Sequence, residues 1–142
     1  MAAGPTVKQI LQTYPGKIRL VIKNYPYKYR DFSKIAAEAS LAARDQGKYW
    51  EMHDILLTRS PKLDRASLIA YAGELGLDVK KFTESIDQSK YAKAIDGDIK
   101  LAESMDLYNT PTIYINGRQI VGERPFDYFK KIIDEELNLA GR

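Results

Sequence analysis

Apolar residues run along this chain in two periods, and proline, glycine and aspartate mark where one period gives way to the next. Val7, Ile10 and Leu11 fall at helical spacing behind Pro5 and ahead of Pro15-Gly16, which predicts a short helix over residues 5–14. In residues 17–23 the apolar positions tighten to Ile18, Leu20, Val21 and Ile22, the nearly continuous run of a strand covered on both faces. Pro26 among three tyrosines breaks the pattern over residues 24–30. An alanine-rich helical stretch follows over residues 32–44, and after Gly47 a second helical run spans residues 48–57.

Two further helices share one entry device. Leu63-Asp64 precedes Leu68, and Leu77-Asp78 precedes Phe82; in each, the aspartate is placed to accept from first-turn N–H groups while the flanking apolar residues close around it. Gly76 fits between them as a helix stop. Ser89 is placed to cap another helix reaching to about residue 107, with Ile95, Ile99 and Ala102 on one face and Gly97 as a weak point. The period then shortens to two. Thr112 to Ile115, Asn116-Gly117 and Arg118 to Val121 read as a hairpin, because Asn-Gly supplies the positive φ angles of a tight primed turn. Residues 125–139 close the chain as an amphipathic helix carrying Phe126, Phe129, Ile133 and Leu137. The pattern is α/β, with about three strands in a small mixed sheet. A long helical crossover would set residues 17–23 parallel to the first hairpin strand.

Composition removes chemistry rather than adding it. The 142 residues, 44% hydrophobic and 29% charged, have the make-up of a single globular domain. A chain of this length buries roughly 68–70% of its unfolded surface and needs no staples. It has no cysteine, so these residues offer no disulfide, thiolate nucleophile, Cys-ligated zinc or CxxC redox centre. With one histidine there is no His-rich metal site, and any Ser/His/Asp triad would depend on His53. No metal, cofactor or catalytic residue is expected. The net charge of +3 is unevenly spread: residues 1–30 hold Lys8, Lys17, Arg19, Lys23, Lys28 and Arg30 and no acid, a local +6, against 16 basic and 19 acidic side chains in the rest. Cations diluted over a helix, a strand and a loop read as a solvated face sooner than as a nucleic-acid track. No apolar run reaches the length of a membrane span, and the first residues lack the apolar core of a signal peptide, so no membrane partner is expected.

Four stretches, taken in order, carry a resemblance: PTVKQILQTYPGKIRLVIKNYP, AAEASLAARDQGKYWEMHDILL, YAGELGLDVKKF and NTPTIYINGRQIVGERPFDYFKKIIDEEL. They resemble the bacterial DsbA-like thioredoxin family, thiol-disulfide oxidoreductases with a helical insertion in a thioredoxin fold. The resemblance implies a thioredoxin-like part in residues 1–31 and 90–142 and an inserted helical subdomain in residues 32–89. It also implies a departure. In the family a first strand leads into a CxxC pair at the start of the helix matched here by residues 5–14, where the helix end lowers the thiol pKa. Neither that strand nor the cysteines has a counterpart here, so Met1 opens either a shortened chain or a gene without its catalytic end. The family's strand lies between the counterparts of residues 17–23 and 112–115, and its absence leaves an unpaired edge or forces those two together.

The resemblance also places Pro111, preceded by Thr110, at the family's cis-proline, whose loop presents backbone groups to an extended substrate peptide. Thr110, Pro111 and Thr112 are therefore the expected substrate-binding residues, although without the resemblance a trans proline opening a strand is the ordinary reading. Other candidates weigh less. His53 has Glu51 and Asp54 nearby in sequence, but neighbours at that spacing do not face it on a helix. Asp96-Gly97-Asp98 lacks the ligand spacing of a calcium loop. Tyr25, Tyr27 and Tyr29 with Lys28 and Arg30 offer stacking and charge to single-stranded nucleic acid, or simply connect two elements. Trp50 and Phe82 are expected in the helical core.

Three functions remain open: a redox-inactive domain that binds an extended peptide or protein, a shortened thiol-disulfide oxidoreductase, and a self-association module forming a homodimer through the unpaired edge. The family points to the periplasm or cell envelope.

Overall fold

Every predicted helix forms, with its ends moved. The computed structural model describes residues 3–141, which build helices α1 (Ala3–Thr13), α2 (Ser33–Arg44), α3 (Tyr49–Arg59), α4 (Arg65–Glu74), α5 (Val79–Asp87), α6 (Ala92–Ser104) and α7 (Phe126–Ala140). Strands β1 (Thr112–Ile115) and β2 (Arg118–Val121) lie between α6 and α7. By contacts the chain divides into two compact units, Lys23–Met105 and a second made of Met1–Ile22 with Asp106–Arg142.

The Lys23–Met105 unit is all helix around α2, which packs against α3, α4, α5 and α6. Its alanines explain that centrality: Ala39, Ala42 and Ala43 are buried and short enough to let neighbouring helices approach. Met52, Leu68, Phe82 and Ile95 fill the space between, all fully buried. Trp50 does not join them. It is 47% exposed, because Met52 holds the inward position on α3 and a residue two places away points elsewhere on a helix. Its ring meets Tyr49 and His53 edge-on at 5.0 and 5.7 Å.

Helix ends here follow local chemistry. Asp64 accepts from the Ser67 N–H at 3.1 Å and Asp78 from the Lys81 N–H at 3.0 Å, the two predicted caps. At Gly76, with φ +70°, the Gly76 N–H donates to the Gly73 carbonyl and the Leu77 N–H to the Ala72 carbonyl, closing α4 in a Schellman turn. Ser89 plays the role expected of such a glycine. It takes φ +48° and ends α5, with the Lys90 N–H donating to the Ser85 carbonyl, while α6 begins at Ala92 without a side-chain cap.

In the other unit, β1 and β2 form an antiparallel hairpin with Thr112 opposite Val121 and Ile115 opposite Arg118. Asn116 and Gly117 turn it with φ +47° and +90°. Helix α7 packs on α1 and on β1, and Tyr14, Ile120, Phe129, Ile132 and Ile133 are buried together, with Ile18, Ile113 and Ile115 packed against them. Tyr14 donates to Asp134 Oδ1 at 2.6 Å.

The third expected strand is absent among the described residues. Residues 18–22 belong to no helix or strand and alternate in exposure: Ile18, Leu20 and Ile22 are half-buried, while Arg19 and Val21 face solvent. The apolar run is therefore covered on one face, not two. A strand is defined by a hydrogen-bonded neighbour, and among the described residues nothing pairs with this segment, so the sheet has two strands instead of three.

Candidate functional site: the loop and edge around Pro111

The loop entering β1 is fixed by its own polar groups. The Thr110–Pro111 peptide bond is cis. The Pro111 carbonyl accepts from the Gly122 N–H at 2.8 Å, and the Thr112 hydroxyl donates to the Asn109 carbonyl at 2.7 Å. Thr110 is exposed, and Pro111 and Thr112 are half-buried.

Hairpin geometry decides which backbone groups of β1 look outward. Ile115 and Arg118 flank a two-residue turn and so form a hydrogen-bonded pair; the alternation then makes Ile113–Ile120 and Pro111–Gly122 the next such pairs. The N–H and C=O groups of Thr112 and Tyr114 consequently point away from β2. Among the described residues no backbone group outside the hairpin bonds to them.

Beside this edge lies a cavity of about 330 Å³. Ile113 of β1, Val7 of α1, Phe129 of α7 and Pro125 give it apolar walls, and Thr6, Glu123 and Arg124 give it polar ones. Arg124 donates to the Glu123 carbonyl at 2.9 Å and lies over the Tyr128 ring at 5.9 Å. One acid beside one base leaves this wall with no net charge. Sequence reasoning did not find the cavity, because its walls come from residues more than a hundred positions apart; the one trace was that α1 and α7 each carry an apolar stripe.

The remaining candidates belong to the Lys23–Met105 unit. His53 is partly exposed among Tyr49 and Trp50, with Nδ1 3.7 Å from Asp54 Oδ1. Asp96 and Asp98 lie on α6, where Asp98 accepts from Lys23 Nζ at 3.0 Å and from the Asn24 N–H at 2.9 Å. Tyr27 and Tyr29 stack on each other at 5.1 Å, each giving one ring face to the other. Among the described residues no three His, Asp or Glu side chains gather in a group able to hold a metal, and no helix is long and apolar enough to cross a membrane.

The hairpin entered through Pro111, with α7 packed on β1 and α1 on α7, is part of a thioredoxin-type fold, as comparison with known proteins shows. The model of the thioredoxin family matches residues 2–135. Among solved structures, a thioredoxin-like oxidoreductase from Silicibacter pomeroyi DSS-3 superposes with a TM-score of 0.84 at 26% identity, covering 95% of this chain and 77% of that one. The thiol-disulfide exchange protein alpha-DsbA2 of Wolbachia pipientis gives 0.83 at 25% identity, covering 94% and 73%. The chain belongs to the thioredoxin family, in its DsbA-like form. Curated relatives match this chain over part of much longer proteins. Na(+)/H(+) antiporter NhaA 3 of Salinispora tropica is 36% identical over 118 residues, 82% of this chain, and the antiporter NhaA of Herminiimonas arsenicoxydans is 36% identical over 105 residues, 74% of this chain. The chain spans only 18% and 17% of their lengths.

Proposed function

We propose that this chain is a peptide-binding DsbA-like domain that performs no thiol exchange, and that Thr110, Pro111 and Thr112 are where the peptide docks. In this reading residues 1–31 and 90–142 are the thioredoxin-like part and residues 32–89 a helical insertion. The observation that carries it is the loop of Thr110 to Thr112, with Thr110 exposed and the Pro111 carbonyl tied to Gly122, in the unit that also holds an apolar cavity. An extended peptide pairs with the backbone of such a loop through its own N–H and C=O groups and places side chains in a neighbouring pocket. Thiol exchange needs a thiolate nucleophile, and these 142 residues contain no cysteine.

Titration of the labelled chain with a capped heptapeptide alternating valine and threonine, followed by NMR, tests the binding. Amide shifts should centre on Thr110 and Thr112, the residues of the loop that keep an N–H. Unmoved amides at residues 110–115 would overturn the assignment. Insulin reduction by dithiothreitol should run no faster with the chain than without it.

A further inference from the structure

Glu38 on α2 and Asp45 at its C-terminal cap are seven residues apart, so they project from one side of the helix. Both reach the segment that joins α5 to α6. The Ser89 hydroxyl and the Tyr91 N–H bond to the Glu38 carboxylate, while Lys90 Nζ and the Tyr91 hydroxyl donate to Asp45 Oδ2 at 3.0 and 2.6 Å. Each residue of the junction is thus tied to α2, and Ser89 takes a φ of +48°, a conformation uncommon outside glycine.

The two anchors are electrically opposite. Glu38 is 2% exposed and its Oε2 has no hydrogen-bond partner, so its charge is poorly solvated and a proton relieves it. Asp45 has a 37% exposed side chain among donors and cations, Arg44 at 3.5 Å included, so a proton there breaks favourable contacts. Lys34, one turn back on α2, eases the Glu38 charge, and Asp96 of α6 opposes it. The other helices on α2 carry groups engaged elsewhere or exposed. The Tyr49 hydroxyl of α3 is bonded to Ser40, Glu74 of α4 pairs with Arg59 at 2.7 Å and Asp87 of α5 with Arg65 at 2.6 Å, while Lys80, Lys81 and Glu84 of α5 are exposed.

We propose that residues 89–91 are a pH-sensitive latch between α5 and α6, held by both carboxylates in mildly acid solution and loosened at neutral pH, where closure buries Glu38 as an anion. Closure keeps Glu38 from water and so favours its protonated form; that contribution is present in acid and lost as pH rises. Asp45 contributes the reverse, a grip present at neutral pH and lost only as pH falls below the ordinary aspartate range. The latch is tightest between those limits. It lies in the Lys23–Met105 unit and does not depend on the peptide site at Thr110 to Thr112.

The test is amide hydrogen exchange of the full chain from about pH 4.5 to 7.5, each amide referred to its intrinsic rate, with the Phe82 and Ile95 amides reporting the core. Protection of the Lys90 and Tyr91 amides relative to the core should fall as pH rises, about tenfold for each unit by which closure raises the Glu38 carboxyl. Glu38→Gln keeps an acceptor for Ser89 and Tyr91 but cannot ionise, so it should hold the protection level across the range; Asp45→Asn should keep the fall. Three results would each overturn the proposal: protection at Lys90 and Tyr91 that ignores pH, a fall that survives in Glu38→Gln, or a fall shared in equal proportion by Phe82 and Ile95, which would mark loosening of the whole helical unit. The unmutated chain decides the first and third of these even where a variant fails to fold.

Discussion

Glu38 sits on α2 at 2% exposure, with one carboxylate oxygen, Oε2, lacking a hydrogen-bond partner. Burial pushes its carboxyl above the usual glutamate range; Lys34, the Ser89 hydroxyl and the Tyr91 amide pull it back, and Asp96 adds to the rise. A carboxyl raised in the folded state binds its proton more tightly there than in the unfolded chain, so the stability it contributes is present at acid pH and lost as pH climbs through the raised value. Glu38→Gln should therefore stabilise the protein at pH 7 by about 1 kcal/mol and lose that advantage below pH 4, as read by urea melts at both pH values. Asp45 runs the other way. Tyr91, which donates to it at 2.6 Å, and Lys90 at 3.0 Å hold its carboxyl below the usual range, so its contribution is present at neutral pH and lost as pH falls through the lowered value. Asp45→Asn should flatten the acid limb of the stability profile. In the core, Phe82→Ala should cost about 3–5 kcal/mol, for Phe82 is fully buried among the alanines of α2 and their neighbours. Phe82 and Trp50 looked alike in the sequence. Side-chain type says that a large aromatic favours burial, but only its angle around the helix says whether it gets there, and Met52 left Trp50 outside.

Elements were legible wherever their signal was local. Asn116-Gly117 and the two aspartate caps work through atoms a few residues apart, and all three form where the residues place them. Asp64→Ala should cost about 1 kcal/mol in thermal melts, by orphaning first-turn N–H groups. Gly76→Ala should cost about 1–2 kcal/mol purely through backbone conformation, because φ is +70° and a Cβ there would meet nothing within 4 Å. Signals shared by two structures were the ones that misled. Serine opens helices and, less often, closes them, and at residue 89 it closes α5. Residues 18–22 have the composition and alternation of a strand, yet pairing is a property of two segments and cannot be read from one.

The candidate site shows the same dependence on distance at the scale of the whole chain. Thr110 to Thr112 came into view through resemblance to a family, not through any local pattern that marks a binding loop. The cavity beside them gathers α1, β1 and α7 from opposite ends of the sequence, a meeting that no stretch of residues announces. The chain's sole tryptophan belongs to the Lys23–Met105 unit, half-exposed on α3. It gives the molecule a private lamp. Its emission should be red-shifted and readily quenched by acrylamide, and it will brighten, dim or shift with the helical unit that holds Trp50, so a fluorescence melt and a tyrosine or circular dichroism melt of this protein are measurements of different things.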